Sequence, residues 1–214
     1  MNIADTLVVF DTNILLPPRL SDVVMDLRAE ALFSAHWTQD ICVEYMRNMQ
    51  GRFERTEAQA TGRLRAFKRR CPEWEVFSSQ EDFESVPARV DEKDRHVAAA
   101  ALALRRSADS DDEDGVKGDD YDVILVSEND KHLAKKDMKE LGVRVLRAGP
   151  FLDECYAAEP EACERALLQS VSDLKTPPYS REELLHALLQ HGANKLVAGL
   201  SATWGVTPAP RTSR

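Results

Sequence analysis

Leu7-Val8-Val9-Phe10 is a continuous apolar run, β-branched at its centre, and it stops at Asp11-Thr12-Asn13. A short run with no polar alternation reads as a strand buried on both faces, the habit of parallel sheets. Val123-Ile124-Leu125-Val126 repeats the pattern, and Val143-Arg144-Val145-Leu146 reads as a last strand. Trp37 marks the end of a short second strand, and Glu75-Val76-Phe77 reads as a third. Helical spacing falls between them. Val24, Leu27, Ala31 and Leu32 predict a helix over 21–33, and Thr38 is an N-cap for a helix to about Met49. Residues 94–106 are Ala-rich with strong helix propensity, and 130–141 predict a helix with Gly142 just past its end. Strands alternating with helices give an α/β layered fold with a central parallel sheet.

At 214 residues the chain makes one large domain, or one domain with a small appendage. It is 43% hydrophobic and 30% charged, which suits a buried core in a soluble protein. A net charge of −9 argues against a protein that is basic all over and coats nucleic acid, but leaves room for a local basic patch. That patch is 45–70, read as helix to Pro72, where eight basic residues stand against Glu54 and Glu57. The reverse holds over 107–122, with eight acids and one lysine, which reads as a solvated loop or a disordered insert. Cys42, Cys71, Cys155 and Cys163 show no C-x-x-C spacing. With no secretory pattern and no apolar run long enough to span a bilayer, they read as reduced thiols of a cytoplasmic protein with no membrane role. From Gly149-Pro150 onward the pattern is helical, broken at Thr176-Pro177-Pro178 and reopened by the capping box Ser180-Arg181-Glu182-Glu183. The tail 207–214 is expected to be disordered.

The acids sit where parallel sheets bind ligands, at the carboxyl ends of strands. Asp11 follows the first strand, and Ser127-Glu128-Asn129-Asp130 follows the strand 123–126. Glu44 lies a turn or two into the second helix, and Asp91 and Asp94 flank the start of the Ala-rich helix. Taken alone, each acid has an ordinary explanation as a turn residue, a cap or a solvated side chain. Converging, they form an oxygen-rich cluster that suits Mg²⁺ or Mn²⁺.

Four segments in order resemble the PIN domain, the metal-dependent nuclease fold of VapC-type toxins. They are Val8-Val9-Phe10-Asp11-Thr12-Asn13, W-T-Q-D-I-C-V-E-Y-M-R-N-M at 37–49, D-E-K-D-R-H-V-A-A-A-A at 91–101 and I-L-V-S-E-N-D-K-H-L at 124–133. The resemblance implies a three-layer α/β/α nuclease domain over 1–149, interrupted by the insert 107–122, with a helical C-terminal extension over 150–206. It implies an endoribonuclease using Mg²⁺ or Mn²⁺, with Asp11, Glu44 and Asp94 as metal-binding and catalytic acids and Asp91 as a competitor for the third place. For the fourth, Ser127 and Asn129 match the family's pattern, and Asp130 stands one step later as a further ligand candidate. His132-Leu133 departs from the Asp-Phe that is common there. Asn13 and Ser127 would brace the carboxylates. Arg47, Arg52 and Arg55 would bind the RNA backbone, and the acidic insert is an alternative partner for the basic helix. A cognate antitoxin laid along the acidic cleft and a homodimer are the partners implied. The C-terminal apolar positions would pack on the nuclease body or against a partner. A PIN-like module that binds RNA or protein without catalysis remains the alternative. An aspartyl-phosphate phosphatase fits less well, because position 13 is Asn where that chemistry usually has a second Asp.

Overall fold

A computed structural model describes residues 5–110, 121–173 and 178–211. Most of the acidic insert, Thr176-Pro177 and the last three residues lie outside these. Four strands form one all-parallel sheet in the order β2-β1-β3-β4: β1 (Thr6–Phe10), β2 (Ser34–His36), β3 (Asp122–Val126) and β4 (Val143–Leu146). Val8, Val9, Phe10 and all of Val123 to Val126 are fully shielded from solvent, as expected when helices cover both faces of a parallel sheet. The fold is thus a three-layer α/β/α arrangement, as the strand–helix alternation predicts.

The first half carries α1 (Thr12–Leu15), α2 (Pro18–Ala29), α3 (Gln39–Gly51), α4 (Glu57–Arg70) and α5 (Gln80–Ser85). A 3₁₀ turn at Glu92–Asp94 leads into α6 (Arg95–Ser110), and α7 is Lys135–Glu140. The C-terminal part is helical throughout: α8 (Ala148–Ala158), α9 (Pro160–Asp173), α10 (Arg181–Gln190) and α11 (Asn194–Trp204). It packs on the body, with α9 lying along α2 and Phe151 of α8 meeting Phe10 and Phe33 edge-on. Beyond it, Ala209 N–H donates to Glu182 O at 3.1 Å, so residues 207–211 run back along α10. The sequence reading has that stretch disordered.

Local signals hold where their chemistry is simple. Thr38 caps α3 by accepting from Ile41 N–H, Ser180 and Glu183 form both bonds of a capping box, and Gly142 takes φ +76°. Three expectations are corrected. The basic stretch is two helices, not one, because Thr56 and Gln59 form a capping box that starts α4 afresh. Glu75-Val76-Phe77 is not a strand. It makes one bridge, Trp37 to Glu75, and Phe77 is 77% exposed, so no buried face holds a ladder there. The helix expected over 130–141 is a 3₁₀ turn at Asp130–His132, then Ala134 at φ +42°, then α7. Leu133 is drawn into the core at that break.

Candidate metal centre

β1 is flanked by β2 on one side and β3 on the other, so consecutive connections leave it in opposite directions. Open parallel sheets form a crevice at such a point, outside the carboxyl ends of the strands. Asp11 leaves β1 there and Ser127 leaves β3. Their backbone N–H groups continue the ladder, to Val126 O at 3.1 Å and Leu146 O at 3.0 Å. Asp11 occupies the N-cap position of α1 without making a side-chain cap. Its Oδ2 instead accepts from Ser127 Oγ at 2.6 Å and Asn13 Nδ2 at 2.5 Å. Asn13 also donates to Ser127 Oγ at 3.1 Å and accepts from Glu128 N–H at 3.0 Å. Asn129 N–H donates to Ser127 Oγ at 3.0 Å, so one hydroxyl ties the loop to the carboxylate. Burial pushes the Asp11 carboxyl above the usual carboxylate range; the Ser127 bond opposes this, and Glu44 and Asp94 add to it.

Glu44, Asp94 and Asn129 line one cleft of about 560 Å³, with Arg47, Lys93 and His96 on its walls. Glu44 Oε2 accepts from Thr12 Oγ1 at 2.8 Å and faces His96 Nε2 at 3.7 Å. The two shift each other: the His96 contact, the largest cause, holds Glu44 below its ordinary value, and the Glu44 contact lifts His96. Asp94 is 8% exposed, and its Oδ2 is buried with no hydrogen-bond partner. Burial raises its carboxyl, with Asp91 adding to the effect and Lys93 opposing it. A buried carboxylate oxygen left without a donor is costly unless something positive meets it.

The structure therefore brings Asp11, Glu44, Asp94 and Asn129 together, with Asn13 and Ser127 bracing Asp11. Arg47 is on the cleft wall, whereas Arg52 and Arg55 lie past the end of α3 and do not line it. Asp130 is not brought to the cleft. It ion-pairs with Lys135 and faces a separate basic hollow with Arg89, Lys131 and Lys136. Asp91 pairs with His132, and Asp91, Asp94 and His132 place ligand atoms within 4.8 Å of one another, close enough to hold a metal ion. Asp94 thus borders both the cleft and this cluster. The sequence marks His132 only as a departure from the family's pattern and gives Lys93 and His96 no role in the site. His96 lies two residues beyond Asp94, a position that the Ala-rich helix alone does not single out.

Oxygen donors dominate the cleft, a set that suits a hard divalent cation. The fit rests on Asp94 Oδ2, on the raised Asp11 and on the crowding of like charges that a cation would relieve.

The family model of the VapC50 C-terminal domain matches residues 149–202, which span α8 to α11 without the first residue of α8 and the last two of α11. The match therefore joins the C-terminal helices to a VapC-related family and leaves the sheet and its acids to be read from their geometry. No curated protein and no solved structure matches the chain. Among the described residues, no helix is long and apolar enough to cross a membrane.

Proposed function

We propose that the chain is a Mg²⁺- or Mn²⁺-dependent endoribonuclease of PIN type, the toxin of a VapBC-type toxin–antitoxin pair. One observation carries the reading. Acids from three separate elements meet at the switch point of a parallel sheet, and Asp94 Oδ2 is buried there without a partner. Caps and turns do not account for that arrangement. The C-terminal match to a VapC-related domain supports the same reading from the opposite end of the chain.

Asp11, Glu44 and Asp94 would hold the cation, with the Asn129 carboxamide or its water beside them. Bound there, a divalent cation supplies a nucleophilic water at neutral pH and offsets charge on the phosphate. Ser127 and Asn13 fix one oxygen of Asp11, so the carboxylate is oriented before any ligand arrives. Arg47 and Lys93 on the cleft wall would offer charge to the RNA backbone, and RNA would enter as a single strand or loop. The partners that accompany this reading are an antitoxin whose peptide covers the acidic cleft and a second copy of the chain in a homodimer. The nuclease unit is 1–149 and the extension 150–206.

The test is cleavage of total RNA by the purified, antitoxin-free protein with Mg²⁺ or Mn²⁺, with EDTA, and beside Asp94→Asn. Fragments that need the metal, and fall at least about a hundredfold in the variant, establish the nuclease. Folded protein that cleaves nothing with any metal, yet binds RNA, moves the chain to the non-catalytic PIN-like module.

A further inference from the structure

We propose that the C-terminal helices position the cation site through Glu128, a side chain lying between the two loop residues that build it. The role assigned to the loop rests on the metal-dependent reading above; the clamp itself has a readout of its own. Glu128 is tied at both ends. Its backbone N–H donates to Asn13 Oδ1 at 3.0 Å, on the Asp11 side of the cleft. Its side chain reaches the other way. Oε2 accepts from Arg147 Nε at 3.0 Å and Nη2 at 2.6 Å, and Oε1 meets His191 Nδ1 at 3.3 Å. Arg147 stands at the N-cap position of α8 and His191 at the C-cap of α10. Both carboxylate oxygens are thereby committed to side chains of the chain itself, Oε2 to the Arg147 guanidinium and Oε1 to the His191 ring. Glu128 is thus held as an anchor and withheld from the cation.

The surface it anchors to is closely packed. A Cβ on Gly149 would stand 2.3 Å from His191 O, so the α8 backbone abuts the turn after α10 directly. Asp153 Oδ1 accepts from Lys195 and Leu196 N–H, each at 2.9 Å, locking the start of α11 onto α8. The loop residues on either side of Glu128 are Ser127, bonded to Asp11, and Asn129, lining the cleft. A shift in the C-terminal helices would therefore move the carboxamide of Asn129 relative to Asp11.

The experiment uses the full chain and reads Mn²⁺ affinity by calorimetry and amide hydrogen exchange over 127–133. Glu128→Ala is expected to weaken Mn²⁺ about tenfold, the low end for groups that orient ligands. It should speed exchange in that loop while α2 and α9 exchange as before. Arg147→Ala should reproduce this. Glu128→Gln, which keeps an acceptor oxygen for Arg147, should recover most of the affinity. If folded Glu128→Ala and Arg147→Ala both keep wild-type affinity and exchange, the contacts are surface ion pairs of small worth and the proposal falls. If Glu128→Ala does not fold, Arg147→Ala decides. A wild-type chain that binds no Mn²⁺ overturns the metal reading instead, and loop exchange alone then decides the clamp.

Discussion

Asp94 is the residue on which the chemistry turns, and its environment fixes a sign. Burial lifts Asp94, and burial with neighbouring acids lifts Asp11, above the usual carboxylate range. In the unfolded chain both ionise at about 3.9. Between that value and the raised native one, the folded state binds more protons. The metal-free protein therefore loses stability as pH rises through the window and does not recover it above. Asp94→Asn should then melt higher than wild type at pH 8 in EDTA, by about 2–4 °C for each kcal/mol of relieved repulsion. Wild type alone should be stabilised by Mn²⁺, by about 2.7 kcal/mol at a hundred times the dissociation constant. Calorimetric scans with and without Mn²⁺ check both, and a variant that melts lower in EDTA would make Asp94 a structural anchor. The four cysteines behave oppositely, as inert groups. All are buried, with Cys71 pushed up to about 11 and Cys163 to about 12 by burial. Iodoacetamide at pH 8 should label none in the folded chain and all four in urea, since the thiolate is the reactive form. Rapid labelling of any native thiol would contradict that burial.

Elements were legible in the sequence to the degree that burial acts on consecutive residues. β1 and β3 announce themselves because both faces are covered, which writes an unbroken apolar run, whereas β4 at the sheet edge alternates buried Val143 and Val145 with part-exposed Arg144 and Leu146. β2 is only Ser34–His36 and carries no such run, so Trp37 alone marks it. Helix ends with a single dominant signal, such as Thr38 or Gly142, are readable from composition. The restart at Thr56 was missed because the eye follows the charges across it, and the charges say nothing about the backbone. The site divides in the same way. Asp11, Glu44 and Asp94 are visible as acids after a strand or on a helix, but only within a four-segment pattern. Asn129 and Asp130 could not be separated, because the answer depends on the 3₁₀ turn and on Ala134, where non-local packing of Leu133 overrides a helical pattern. His96 carries no spacing signal, and His132 stands out only as a departure from the Asp-Phe of the resembled pattern. At this scale the contact at Gly149 is the most exposed to test. Gly149→Ala must push apart backbone atoms of α8 and the His191–Gly192 turn, which no rotamer can relieve. A loss of about 1–3 kcal/mol in urea unfolding is expected. An unchanged midpoint would show that α8 and α10 can separate freely.

Over the whole molecule the charges are segregated, and the segregation separates arginines that hold the fold from arginines free to meet RNA. Arg70 of α4 ion-pairs with Asp26, a buried acid of α2 that also accepts from Ser170 of α9. Arg63 donates to Asp22 and Ser21 of α2, each at 2.8 Å. Two of the five basic residues on α4 thus fasten it to α2. Arg47, Arg65 and Arg69 are exposed and make no ion pair among the described residues, and Arg47 also stands on the cleft wall. A chain of net charge −9 gains no general attraction for a polyanion, so binding must come from exposed basic side chains such as these and Lys93, the other cation on the cleft wall. Each phosphate contact releases counterions and adds about 0.7 to the slope of log affinity against log salt for a single strand. Arg47→Ala should therefore lower that slope by about 0.7, weaken every RNA sequence alike and leave the melting temperature in place. Arg70→Ala should do the reverse. It strands the buried Asp26 carboxylate with only Ser170, costing about 1–3 kcal/mol of stability while the salt slope stays put. Filter binding across a salt series, beside thermal melts of the same two variants, reads both quantities. Equal slopes for wild type and Arg47→Ala would move the RNA path away from this cleft wall, and a stable Arg70→Ala that binds RNA poorly would return α4 to the role its composition first suggests.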